Sequence, residues 1–485
     1  MVDYFADCQL LYWTIRIIQS KRPCTVLPVL CLASNMASRT NNNNKKKKRT
    51  SKTKKPTAAL QGLAGAQQLV AAADHAALHQ DPQQAVQLYT AAEKMLQGLI
   101  VETDSDTTDL PQARSLLLQA WEKRAELYVS LEDQNGALED YQASLQLLLQ
   151  TDKEQQDPNL CRHRAALHLY IGQLQEGEDA LAAYQQGIGC LQLALEKDGI
   201  GMVQDDNGKD KNGKDKNGEE NSANPKTVAA ETRRQLAAAY CSVAEVYLTD
   251  LCFEPNAEQE CESTLDRALQ LTDTDGEPIA DALQTTASLR LSQNKGLEAV
   301  DYILRSFEKM RVGVQALALL VGLREDSNPD QATELLETEA VKSLPGFEFR
   351  CQTAKLLLEC AGVLKEETAA ERDEREEQCV QAAVDVLGSL LAENDEVAEI
   401  WYLTGNAFAA MNPPNSELAA HYWERTLEML ISVKDSIEQE LLEMPTEEET
   451  EALQMQLQEV STQEEDVVSK LAELQHDGDA QPMEE

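Results

Sequence analysis

The sequence predicts an all-α protein, a right-handed α-solenoid of about six or seven helix pairs between a disordered basic N-terminal tail and a disordered acidic C-terminal tail. Three observations carry that expectation. Ala, Leu, Gln and Glu dominate from residue 58 onward, with apolar positions recurring at intervals of three and four. A triplet of large, small and large residues at those intervals returns along the chain. The charge is split, with 12 Lys/Arg against 2 Asp/Glu in residues 1–57 and a net of −51 on residues 58–485.

Residues 1–57 read as a disordered basic arm. The opening 35 residues fit nothing that follows, and Met36 starts a sequence that runs smoothly into the rest, so 1–35 is expected to be a gene-model extension. The run Lys45, Lys46, Lys47, Lys48 and Arg49 is a self-repelling block and a candidate nuclear-import signal. Residues 58–202 form the first set of helix pairs, punctuated at Asp81-Pro82, Leu110-Pro111, Asn135-Gly136 and Asp157-Pro158. Residues 203–226, with Asn207-Gly208-Lys209-Asp210-Lys211 echoed five residues later, form a disordered polar insertion. Residues 227–434 hold the second set of pairs. Residues 435–485 are an acidic tail with 17 acidic residues against Lys470 alone, and Leu453, Leu457, Val460, Val467, Leu471 and Leu474 mark one amphipathic helix, its stripe broken at Glu464.

The recurring triplets are Trp121/Ala125/Tyr128, Tyr240/Ala244/Tyr247 and Trp401/Gly405/Phe408. Their partner helices carry Ala85/Tyr89/Ala92, Ala137/Tyr141/Ser144, Ala180/Tyr184/Gly187 and Cys261/Leu265/Ala268. The large residue fills the wedge between two helices and the small one lets their backbones approach. This pattern resembles the tetratricopeptide repeat, most directly from Gln119 to Gln150, where Trp121, Ala125, Ala137 and Tyr141 hold the expected spacing. Longer loops around Glu254-Pro255 and Asn412-Pro413-Pro414 depart from it. Stacked pairs of this kind present the first helix of each pair on a concave face. Asp74, Glu122, Glu126, Glu245 and Glu399 are predicted on that face and share one sign. A set of this size is also what an ordinary solvated surface would show, so the shared sign is the informative part.

Composition narrows the function. The formal net charge of −41 disfavours direct nucleic-acid binding by the folded part and favours a cationic partner. No C-x-x-C pair occurs among the eleven cysteines, which read as small buried hydrophobes kept reduced. No run approaches the roughly eighteen apolar residues of a membrane span. His75 and His79 are four apart, but no third ligand or intervening Glu accompanies them, so they read as surface histidines. Asp210-Lys211-Asn212-Gly213 starts like a calcium loop and fails at Lys214 and Asp215. No phosphate loop, nucleophile elbow or Ser/His/Asp set is present, so no cofactor, metal or catalytic residue is expected and the protein reads as a non-enzyme.

Three segments resemble one family within the repeat class, the dedicated assembly chaperone of large-subunit ribosomal protein four. They are Ala244-Glu245-Val246-Tyr247-Leu248-Thr249-Asp250-Leu251-Cys252-Phe253-Glu254-Pro255, Ala287-Ser288-Leu289-Arg290-Leu291-Ser292-Gln293 and Glu399-Ile400-Trp401-Tyr402-Leu403-Thr404-Gly405. The resemblance spans roughly residues 45–445. It implies a monomeric chaperone that holds a newly made basic ribosomal protein in an acidic groove and escorts it between cytoplasm and nucleus, with an import receptor as a second partner. The other readings are a generic repeat scaffold in a multiprotein complex and a co-chaperone that clamps a heat-shock protein's C-terminal carboxylate. The clamp needs cationic side chains where this chain has Val70, Asp74, Glu122 and Glu126.

Overall fold

In the computed structural model the described residues are 58–79, 81–102, 109–151, 157–199, 225–273, 275–325, 335–364, 372–442 and 447–479. They are helical throughout, with no strand among them and one isolated bridge between Thr272 and Pro278. The basic block Lys45–Arg49 and nearly all of the 203–226 insertion lie outside them. The described residues fall into two compact units, 58–199 with 225–232 and 233–479.

The first unit holds α1 (Ala58–Leu78), α2 (Pro82–Glu102), α3 (Asp109–Ser130), α4 (Gln134–Thr151), α5 (Pro158–Gln173) and α6 (Gly177–Lys197). Each odd-numbered helix packs against the even one that follows it. The helix starts follow local chemistry. Asp81 and Asp157 accept backbone N–H bonds from Gln84 and Asn159 at 2.9 and 2.8 Å, each just before a proline whose missing N–H costs nothing at a helix start. Two expected breaks fall inside first turns instead. Pro111 sits in the first turn of α3, where proline is tolerated. Asn135-Gly136 sits in the first turn of α4, and the capping carboxylate is Asp133, which accepts from Gly136 at 2.9 Å.

The triplets pack as wedges. Ala125 and Ala137 are fully buried between α3 and α4, and Tyr141 is buried and stacks on Tyr170 of α5 at 5.3 Å. Trp121 is buried and donates its indole N–H to Glu93 of α2 at 2.9 Å. Tyr128, expected in the same set, is only half-buried and lies beside the Arg124 guanidinium. A methyl at Gly172 would stand 2.7 Å from the Tyr184 ring, so only glycine lets α5 and α6 meet there.

The remaining helices are α7 (Pro225–Leu248), α8 (Ala257–Leu269), α9 (Ala280–Ser292), α10 (Gly296–Glu325), the short α11 (Glu339–Lys342), α12 (Phe347–Leu364), α13 (Arg372–Glu393), α14 (Ala398–Ala410), α15 (Ser416–Leu442) and α16 (Glu447–Asp479). Tyr240 and Ala244 are buried on α7, and Cys261 of α8 donates its thiol to the Ala244 carbonyl at 3.7 Å. Tyr247 is half-buried. The core of the second unit is built from α10, α12 and α13, with Ile303, Val314, Leu357, Cys360, Ala383 and Leu387 fully buried. Gly405 lies against the Trp423 indole and Phe408 stacks on Tyr422 at 5.4 Å, while Trp401 is half-buried and donates to the Asp395 carbonyl at 2.8 Å. Among the described residues, Cys161, Cys241, Cys261, Cys351, Cys360 and Cys379 are buried, as small hydrophobes would be, while Cys190 and Cys252 are only half-buried.

The pairs α1/α2, α3/α4, α5/α6, α9/α10, α12/α13 and α14/α15, with α7 and α8 meeting through Cys261, match the expected helical-repeat class. The acidic end carries its expected helix as α16, which folds against α15: Leu453, Val460 and Val467 bury themselves with Trp423, Leu430 and Ile437. Glu464 does not end the stripe. It accepts from Lys434 of α15 at 2.7 Å and so supports the same contact.

Candidate functional site

The five predicted acidic residues all sit on the first helix of a pair, but they are not equivalent. Asp74 of α1 accepts from Tyr89 of α2 at 2.5 Å and from Lys123 of α3 at 2.6 Å. Glu122 of α3 is paired with His163 of α5 at 2.6 Å. Consecutive first helices α1, α3 and α5 therefore tie to one another through these two bridges. Glu399 of α14 pairs with Lys355 of α12 at 2.7 Å and receives a weak thiol bond from Cys351. These three carboxylates already have a partner inside the fold, and the expectation that they line a free negative face is corrected to that extent.

Glu126 and Glu245 differ. Both are exposed, yet burial by the surrounding protein pushes each carboxyl above the usual carboxylate range. For Glu126, Lys123 opposes the rise and Glu122 adds to it. Both Glu122 and Glu126 also help to hold the hydroxyl of the half-buried Tyr170 of α5 above its ordinary range. For Glu245 the value reaches about 7, with the nearby Asp281 of α9 as the second cause. Asp281 is itself raised by burial. Each unit thus presents an open carboxylate on a first helix beside a second acidic side chain on the same or the next first helix.

The intramolecular partners Lys123, His163 and Lys355 were not legible in the sequence, because each lies 41 to 49 residues from its carboxylate or on another helix pair. Asp281 had no signal either, since nothing local marks it as a neighbour of Glu245. The exposed pair His75 and His79 meet Nε2 to Nε2 at 2.9 Å, and no group of three or more metal-binding side chains occurs among the described residues. No helix among the described residues is long and apolar enough to cross a membrane.

No family model matches the chain. A curated protein of Schizosaccharomyces pombe named probable assembly chaperone of rpl4 is 28% identical over 239 residues, which are 49% of this chain and 50% of that protein. This relative names the same chaperone that the three segments resemble. The chain spans about half the length of the curated relative it matches. Among solved structures, the apo form of RapI aligns with 76% of this chain and 99% of its own at 11% identity and a TM-score of 0.34. Human IFIT1 bound to m7Gppp-AAAA aligns with 87% of this chain and 91% of its own at 12% identity and a TM-score of 0.21. Yeast Tom70 aligns with 83% of this chain and 96% of its own at 11% identity and a TM-score of 0.17.

Proposed function

We propose that this protein is a dedicated chaperone of a basic ribosomal protein, large-subunit protein four, which it holds on the acidic first-helix faces until the client joins a pre-ribosome. The observation that carries this reading is the similarity to the chaperone of rpl4, and the charge of the chain supports it. A ribosomal protein is basic because it must lie against RNA. Before assembly its cationic segments need an anionic host that is not RNA. Glu126 and Glu245 offer open carboxylates for that purpose, and the long-range field of a −41 chain would speed capture and weaken with salt. Release follows when ribosomal RNA, with its denser negative charge, competes for the same cations. The Lys45–Arg49 block suits carriage into the nucleus by an import receptor, with the chaperone acting as a monomer in cytoplasm and nucleus.

A pull-down at low and at high salt, with mass spectrometry of the bound proteins, tests the reading. Enrichment of large-subunit protein four at low salt supports it. Enrichment of heat-shock proteins, or of a mixed complex indifferent to salt, refutes it.

A further inference from the structure

The turn between α7 and α8 is ordered by its own backbone. Leu251 donates to the Val246 carbonyl at 2.9 Å, Glu254 to the Leu251 carbonyl at 3.0 Å and Ala257 to the Glu254 carbonyl at 3.0 Å. This ordered turn holds Phe253 out in solvent at 84% exposure. Among the described residues, the other large apolar side chains above 80% exposed are Leu78, Val101 and Leu442, and each stands within two residues of chain outside the described residues. Phe253 lies inside a continuous described stretch, so nothing adjacent in sequence is left to cover it.

Its surroundings have one sign. From Asp250 to Glu262 the chain carries Asp250, Glu254, Glu258, Glu260 and Glu262, with no Lys or Arg until Arg267. Glu258 and Glu262 are engaged by Gln293 and Arg290. Glu254 and Glu260 both help to hold the Tyr247 hydroxyl above its ordinary range. The end of α7 runs directly into this turn, the Glu245 backbone carbonyl accepting from both the backbone N–H and the hydroxyl of Thr249, at 2.9 and 2.8 Å. An aromatic face flanked by carboxylates suits a guanidinium, which stacks on the ring while its charge is met at the rim.

We propose that Phe253, next to Glu254 in an acidic stretch of chain, is a contact for a basic protein segment and takes an arginine side chain on its ring. The proposal rests on the chaperone reading, with the basic client as occupant.

The test uses the full chain and purified rpl4, with affinity measured at low salt for Phe253→Ala, Phe253→Leu, Phe253→Tyr and, separately, Glu126→Lys. Phe253→Ala and Phe253→Leu should each weaken binding about tenfold, and Phe253→Tyr should stay close to the parent. All three should melt with the parent, since the side chain packs against little. If Phe253→Ala binds like the parent while Glu126→Lys binds worse, the Phe253 contact is wrong and the client reading stands. If Phe253→Leu keeps full affinity, apolar area rather than ring–cation stacking is responsible and the proposal fails. If the parent chain does not bind rpl4, both readings fall.

Discussion

Arg124 of α3 lies in a two-pronged ion pair with Asp140 of α4, Nε to Oδ2 at 2.7 Å and Nη2 to Oδ1 at 2.6 Å, with both side chains buried. The remaining guanidinium nitrogen donates to Thr90 and Glu93 of α2 at 2.8 and 2.7 Å, so one side chain fastens three helices. Removing one partner strands a buried charge. Arg124→Ala is expected to cost about 3–5 kcal/mol in urea unfolding. A loss below about 1 kcal/mol would show that water reaches the site.

Gly405 of α14 is the small member of its triplet, and a methyl placed there would stand 2.4 Å from the Trp423 indole. Gly405→Ala must push the ring or the helix, and overpacking of this kind costs about 1–3 kcal/mol. A shifted tryptophan emission and a lower melting midpoint check it; unchanged values would mean that the indole swings aside freely.

The last hairpin depends on α16. Val467 is almost fully buried against α15. Val467→Ala removes two buried carbons and leaves a void, at about 2 kcal/mol. Denaturant titration would reveal the loss, and no loss would mean that α16 contributes little to the fold's stability.

Glu245 titrates near pH 7 in the folded chain, above the usual carboxylate value, because of burial and the charge of Asp281. The folded state therefore holds its proton to higher pH than the unfolded chain does. Its contribution to stability is full below the unfolded value near 4.5 and is lost as pH rises toward 7. Glu245→Gln should gain stability relative to the parent as pH goes from 5 to 8, a trend readable from denaturation midpoints. A difference independent of pH would refute the assignment. Binding of a cationic client should follow the opposite course and strengthen as Glu245 ionises.

Charge reversal is best aimed at the open carboxylates. Glu126→Lys with Glu245→Lys should weaken client binding and flatten its salt dependence while the chain still folds. Reversing Asp74, Glu122 or Glu399 instead breaks an existing bridge, so those variants should lower the midpoint too. Unchanged affinity in the Glu126/Glu245 double variant would dismiss the acidic face as the binding surface.

Helix identity, the wedge triplets and the cysteine burial were legible because they are local. A period of three and four places Trp121 over Ala125 on one face whatever the fold around them. Caps were nearly as readable, and Asn135-Gly136 misled only because Asp133, two residues earlier, does the capping. The candidate site was legible in sign but not in availability. The sequence by itself determined that Asp74, Glu122, Glu126, Glu245 and Glu399 would fall on first helices, since repeat spacing sets helix face. Only the tertiary structure decided that Lys123, His163 and Lys355 engage three of them, while Glu126 and Glu245 stay on the exposed surface. Charge pairing depends on which helices meet across tens of residues, and no local spacing encodes that.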